Sequence, residues 1–362
     1  MSNGPLQGLR VVEIAGLGPT PFAAMWLADM GAEVVRIERP SLTPLIAQKI
    51  DVLNRGRGFV ALDLKDQADC AQAAELIARA DMLIEGMRPG AMERLGLGPE
   101  QMCKANPALI YGRMTGWGQD GPLSHTAGHD INYIALTGML HAIGPASHPV
   151  MPMNLLGDFG GGSMYLVAGM LAALHHAQRT GEGQVVDCAI TDGALHLGAM
   201  IYSLYGSGLW VESREANLLD GGAPFYAVYE CADGKHMSVG ALEGKFYAEL
   251  LQLLELAEAG LPPQMEVGGW PQIRAAFTAR FKQKPRDDWA AIFEGTDACA
   301  APVLSLAEAP AHPQNKTRNA FVSGEVTAPA PAPRFSRTPA KARPGEEHTP
   351  MSLSVLLARW RA

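Results

Sequence analysis

Two spacings of apolar residues alternate from the start of the chain. "LRVVEIAG" is a near-continuous apolar run of strand length, "TPFAAMWLADMG" repeats apolar residues at helical spacing, and "AEVVRIERP" is strand-like again. This order predicts a βαβ unit of about 30 residues, hence a parallel sheet with a right-handed crossover. The cycle repeats as strand "GFVALDL", helix "DQADCAQAAELIARA", strand "DMLIEGM", helices in "GAMERLGLGPEQMCKAN" and strand "ALIYGRMTG". Such alternation predicts an open, Rossmann-like α/β domain over roughly the first 115 residues. Helical stretches "INYIALTGMLHAI" and "GGSMYLVAGMLAALHHAQRTG" then lead to a buried strand, "GQVVDCAI", and a helix across "TDGALHLGAMIYSLYGSG".

The texture changes near residue 220. "APFYAVYECADGKHMSVGAL" reads as two strands joined at an Ala-Asp-Gly-Lys turn, with Asp233-Gly234 as its signal. Helices in "KFYAELLQLLEL" and "WPQIRAAFTARF" follow, so residues 222–310 read as a smaller α+β domain. From Val326 to Pro350 the chain is rich in Pro and Ala and is expected to run extended over the surface. "SLSVLLARW" closes it as a short helix. No internal repeat is evident.

Composition narrows the function classes. With 362 residues, 48% apolar and 18% charged, the chain suits a packed globular enzyme. A net charge of −8 argues against nonspecific binding to nucleic acid or anionic membrane. Cys70, Cys103, Cys188, Cys231 and Cys299 are scattered and form no C-x-x-C, which predicts reduced thiols, no zinc site and a cytoplasmic location. No leader pattern stands at the N-terminus and no apolar run reaches about 20 residues without polar interruption, so no membrane span is expected.

Three short motifs invite a function and each has an ordinary alternative. Gly16-Leu-Gly18-Pro-Thr-Pro21, with Glu38 ending the next strand, is most of a dinucleotide fingerprint. Pro21 stands where the third glycine belongs, and the alternative is a plain βα turn with Pro near the helix start. Asp158-Phe-Gly160 copies a kinase metal-binding triplet but lacks every companion motif. Gly160–Gly162 suggest a phosphate cradle, yet no lysine follows them. The remaining reading makes Asp158 a helix N-cap, with the glycines permitting close packing. A base placed at that position is compatible with it, because a helix N-terminus stabilises negative charge. His129, between Gly128 and Asp130 at a loop-to-helix junction, and Glu243, just past a strand end, sit where sites are commonly built.

The long segments taken together say more than any motif. "LRVVEIAGLGPTPFAAMWLADMGAEVVRIERP", "LIEGMRPGAMERLGLG", "YGRMTGWGQDGP", "AGHDINYIALTG", "NLLGDFGGGSMYLVAG", "GEGQVVDCAITDG", "LDGGAPFYAVYECADGKHMSVGALE" and "PAPRFSRTP" resemble the racemase branch of the family III (CaiB/BaiF-type) CoA-transferases. The resemblance implies an interlocked homodimer with active sites between one chain's large domain and the other's small domain. It implies a large CoA-binding domain from residues 1–200 and 326–362 and a small one from 222–310. It implies His129 and Asp158 as the two bases, with Glu243 hydrogen-bonded to the histidine. It also implies CoA contacts at Arg39, Leu62, Asp63, Leu64, Lys65, Gly86, Met87, Arg88, Arg94, Gly128, Asp130, Ile131, Asn132 and Tyr133. Met87 stands where the resemblance leads one to expect an aromatic residue.

The implied chemistry suits those residue types. Racemising a 2-methylacyl-CoA thioester removes the α-proton from one face of a planar enolate and returns one to the other, which takes two opposed bases. An imidazole near its ordinary pKa serves as one, held in its tautomer by a glutamate. An aspartate serves as the other if burial or the enolate raises its pKa. Helix N–H groups beside Asp158 and Gly160 are candidates to hold the thioester oxyanion. No metal, flavin or nicotinamide is called for. The alternative on the same fold is a CoA-transferase in which Asp158 attacks the acyl group to form an anhydride; it needs no facing histidine.

Overall fold

β1 (Arg10–Ile14), β2 (Glu33–Glu38), β3 (Arg57–Ala61), β4 (Met82–Glu85), β5 (Ile110–Thr115) and β6 (Gln184–Ala189) form one parallel sheet in the order β3-β2-β1-β4-β5-β6. They belong to a computed structural model that describes residues 4–40, 50–343 and 350–360. The strands are rich in Val, Ile and Leu because helices cover both faces. Val11, Val34, Met82 and Ile110 pack on one side against helices Pro19–Asp29 and Tyr165–Thr180. Val12, Val35, Leu83 and Tyr111 pack on the other, against helix Gln67–Ala78 and the closing helix Leu353–Arg359. Burying one such side chain stabilises by roughly 1.5–3 kcal/mol, so Leu356 and Trp360 in the second layer tie the end of the chain to its beginning.

Contacts divide the chain into two units. One comprises Met1–Thr137, Pro152–Gly198 and Pro313–Ala362; the other comprises Gly138–Met151 and Ala199–His312. The second unit holds β7 (Tyr226–Glu230), β8 (His236–Gly240) and β9 (Ala300–Pro302) as an antiparallel sheet. Its hairpin closes at Gly234, with φ of 77°, where Cys231 N–H donates to Lys235 O at 2.7 Å. Phe225, Phe277, Phe281 and Trp289 dominate its core. β9, three residues long, gives no signal in the sequence.

Three expectations change. "INYIALTGMLHAI" is not one helix but two, Asp130–Ala135 and Met139–Ala142, broken at Gly138 with φ of 74°. "TDGALHLGAMIYSLYGSG" splits at Gly198 into Ile190–Leu197 and Ala199–Gly206. The helix expected from Gly161 starts earlier: a π-helix, Leu155–Met164, runs into the α-helix Tyr165–Thr180. Its widened turn shows in the bond from Phe159 N–H to Asn154 O, 3.2 Å across five residues. A Cβ on Gly161 would lie 2.6 Å from Ala194 N, and one on Gly193 would lie 1.9 Å from Gly161 O, so glycine lets this segment cross helix Ile190–Leu197 backbone to backbone. By length and composition alone Leu155–Thr180 would pass for a membrane span. Its Leu166, Val167, Met170 and Ala173 are instead packed into the sheet's core.

Of the Pro/Ala-rich stretch, residues 344–349 lie outside the described residues. The described part is pinned to helix Pro19–Asp29: Trp26 Nε1–H donates to Ala332 O at 2.6 Å and the Arg343 guanidinium to Ala28 O at 2.6 Å.

Candidate active site

The strand order reverses direction between β1 and β4, and the loops leaving these two strands part to opposite faces. A crevice at the carboxyl ends follows. Two cavities open there. The larger, about 490 Å³, is lined by Gly16–Pro21 after β1, Gly86 after β4, Thr115 and Gly116 at the end of β5, and Ile190 after β6. His129, Tyr133, Asn154, Asp158 and Phe159 complete its wall, together with Asp51 and Leu53. The smaller, about 330 Å³, is lined by Ala15, Arg39, Leu62–Lys65, Met87, Ala91 and Arg94 among others. Ala15 lies in one wall and Gly16 in the other, as do Met87 and Gly86, so the cavities adjoin.

Asp158 is half-buried on the fourth residue of the π-helix. It is therefore not the N-cap expected from the sequence. The first turn is capped from outside by Asp130, whose Oδ1 accepts the N–H of Asp158 at 2.6 Å and which also accepts that of Gly157. Gly157 allows this approach: a Cβ there would sit 2.3 Å from Asp130 Oδ1. The amides of Gly157, Asp158 and Phe159 thus have partners within the protein, two on Asp130 and one on Asn154 O.

Burial pushes the Asp158 carboxyl up to about 6, and the negative charge of Asp130 pushes the same way. A hydrogen bond from Asn154 and the positive charge of His129 work against this. The lowered solvation is local. Asp158 Oδ2 lies 3.1 Å from where a Cβ of Gly18 would be, and Gly18 itself has φ of 64°. Next to it Phe159 stacks on Phe22 with ring centroids 4.5 Å apart, which fixes the turn that presents the carboxylate.

His129 is the residue before helix Asp130–Ala135, and its side chain is exposed at the cavity. Its backbone N–H donates to Asn132 Oδ1 at 3.1 Å. Asn132, expected to touch substrate, therefore caps the helix start. Asp130, expected likewise, is only 8% exposed and spends its carboxylate on the π-helix. Tyr133 lines the cavity, donates its hydroxyl to Gly128 O and packs edge-on against Trp117 at 4.8 Å. Gly128 gives Tyr133 room, since a Cβ there would lie 2.7 Å from the ring. Ile131 is exposed.

Arg39, Leu62, Asp63, Leu64, Lys65, Met87 and Arg94 all meet in the smaller cavity. Arg39, Lys65 and Arg94 are exposed, so three cations face a space floored by Ile14, Ile37 and Leu62. Gly86 belongs to the larger cavity. Arg88 lines neither, although its charge reaches Tyr133. The wall from Gly86 to Arg94 is braced from below: Glu85 accepts Met87 N–H at 2.7 Å and Arg113 Nε–H at 2.9 Å, and Arg113 also donates to Glu93 at 2.8 Å. Burial raises the Glu85 carboxyl despite these bonds.

Glu243 lies in the second unit, exposed, at the residue that precedes helix Gly244–Leu253. Asn154, Asp51 and Thr20 went unread in the sequence. Asn154 had a signal, four residues before Asp158 on the same quoted stretch; Asp51 had none, because only the folded turn Val52–Asn54 brings it to the cavity. Among the described residues no group of three or more His, Cys, Asp or Glu side chains is arranged to hold a metal ion.

Known proteins resemble this chain over nearly its whole length. α-Methylacyl-CoA racemase of Mus musculus is 46% identical over 338 residues, 92% of this chain and 87% of that protein. The Homo sapiens racemase is 44% identical over 340 residues, with the same coverage, 92% and 87%. Among solved structures, a CAIB/BAIF family protein from Brucella suis superposes with a TM-score of 0.82 at 25% identity, covering 99% of this chain and 100% of that one. The model of CoA-transferase family III matches residues 6–349, and the chain belongs to that family.

Proposed function

We propose that the chain racemises 2-methylacyl-CoA thioesters by moving one proton between two bases. The observation that carries this is that His129 and Asp158 line the same cavity, with the Asp158 carboxyl held at about 6. A carboxyl at that value passes between base and acid near neutral pH at little cost, as alternating proton removal and return requires. His129 works from the opposite side of the enolate, and Glu243 of a partner protomer fixes its tautomer. The CoA portion lies in the adjoining cavity, its phosphates facing Arg39, Lys65 and Arg94. The racemisation itself draws on no metal, flavin or nicotinamide.

An interlocked homodimer completes the site. In support, no residue of helix Ala199–Gly206 is buried, and Met200, Tyr202, Tyr205 and Leu209 stand 57%, 47%, 49% and 71% exposed. An apolar face of that kind calls for cover. The five unpaired cysteines suit a reducing, cytoplasmic compartment.

Incubation of an optically pure 2-methylacyl-CoA in D₂O tests the reading. Deuterium enters at the α-carbon and optical purity falls. Retained configuration, with CoA passing to an added carboxylate, would replace the racemase by the transferase in which Asp158 is the nucleophile. For the dimer, mixing inactive Asp158→Ala and Glu243→Ala protomers restores part of the activity; no recovery in hybrids would overturn the shared site.

A further inference from the structure

Thr20 is the second residue of helix Pro19–Asp29 and 1% exposed, and its Oγ1 has no hydrogen-bond partner among the described residues. It lies in the wall of the larger cavity with His129 and Asp158. Two glycines of the same wall close around it. A Cβ on Gly16 would fall 2.7 Å from Thr20 Oγ1, and one on Gly86 would fall 2.9 Å from its Cγ2 and 3.6 Å from Oγ1. The hydroxyl therefore stands between the loops leaving β1 and β4, at the reversal of strand order.

A buried hydroxyl without a partner costs about 1–3 kcal/mol relative to one that is satisfied. Native proteins keep few such groups, and an apolar isostere would relieve the cost. The described residues around Thr20 offer its hydroxyl no bond, while an enolate oxygen formed in this cavity calls for a hydrogen-bond donor. The amides of Gly157 and Asp158, the nearest to the carboxylate base, are held by Asp130, and that of Phe159 by Asn154. Resting on the racemase reading above, we infer that Thr20 donates a hydrogen bond to the thioester carbonyl oxygen of the bound acyl-CoA and strengthens it as that oxygen becomes an enolate.

Such a bond acts more in the transition state than in the ground state, so its loss falls on kcat rather than KM. The experiment compares wild type, Thr20→Val and Thr20→Ser for α-hydrogen exchange of a 2-methylacyl-CoA in D₂O, alongside their thermal unfolding. Thr20→Val keeps the shape and loses the donor. It is expected to lower kcat about tenfold, the worth of one hydrogen bond, with KM within about twofold and Tm equal to or above that of wild type. Thr20→Ser is expected to retain kcat within about threefold. Undiminished kcat in Thr20→Val overturns the inference. So does a fall in its Tm, which would reveal a protein partner for the hydroxyl, or a Thr20→Ser variant as slow as the valine. Absence of exchange in wild type would overturn the racemase reading instead.

Discussion

Asp130 Oδ1 accepts the backbone N–H of Asp158 at 2.6 Å, and this bond joins the two segments that carry the candidate bases. Asp130 follows His129 directly, so one side chain pins the π-helix of Asp158 to the helix start of His129. The same carboxylate sets a negative charge beside Asp158. One residue thus bears on both the position and the proton affinity of the second base.

Asp130→Asn separates the two effects. The amide oxygen still accepts an N–H, but the charge is gone. Burial, the larger cause, continues to hold Asp158 up; the contribution of Asp130 disappears, and Asp158 titrates at lower pH. Exchange that needs ionised Asp158 then persists to lower pH, moving the acid limb of the pH–rate profile downward. An unmoved limb would show that the charge of Asp130 is not felt.

Asp158 should also cost stability. Its folded pKa, about 6, lies above the ordinary aspartate value of 3.8, so the folded state holds the proton more tightly than the unfolded chain. The folded state therefore loses stability as pH rises from about 4 to about 6, and the full cost applies above that window. Asp158→Asn removes the cost. Its Tm is expected to match wild type near pH 4 and exceed it by about 1–3 °C at pH 7, corresponding to about 1 kcal/mol once solvent screening of the half-buried carboxylate is allowed for, while exchange is abolished. Equal Tm values at both pH values would deny the strain.

Gly157→Ala places a methyl group against the Asp130 carboxylate, 2.3 Å from Oδ1. Oxygen and carbon cannot share that space, so the cap opens. Exchange is expected to fall by at least about tenfold and stability by about 1–3 kcal/mol, measured by isotope exchange and denaturant unfolding. Wild-type values on both would mean that the two segments part without consequence.

Arg39→Ala, Lys65→Ala and Arg94→Ala test the smaller cavity. Each removes one exposed cation that touches no reacting atom in the reading above. KM for the acyl-CoA is expected to rise about three- to tenfold with kcat little changed, and added salt should narrow the difference. A loss confined to kcat would place these residues nearer the chemistry. Arg113→Met is the contrasting case: it strands the buried Glu85 beneath the same wall and takes the partner from the exposed Glu93. About 3–5 kcal/mol of stability should go with it, read as a lowered denaturant midpoint.

The local order of strands and helices was written in the spacing of apolar residues. β1 through β6 and the α-helices between β1 and β5 stand where period and length put them, because each buries a face that its own sequence makes apolar. The nature of the second unit's hairpin was equally local, set by Asp233-Gly234. Long ordered segments carried the family. What needed the tertiary structure was every relation between side chains distant in sequence. Asp158 looks like a cap when read along the chain; only the fold brings in Asp130 to do the capping and leaves Asp158 to face the cavity. The π-turn, the contact of Gly161 with Gly193 and the lack of a partner for the buried Thr20 hydroxyl among the described residues have the same origin. Apolar periodicity records which way a residue faces, whereas burial, proton affinity and a missing partner are set by what the other segments bring to it.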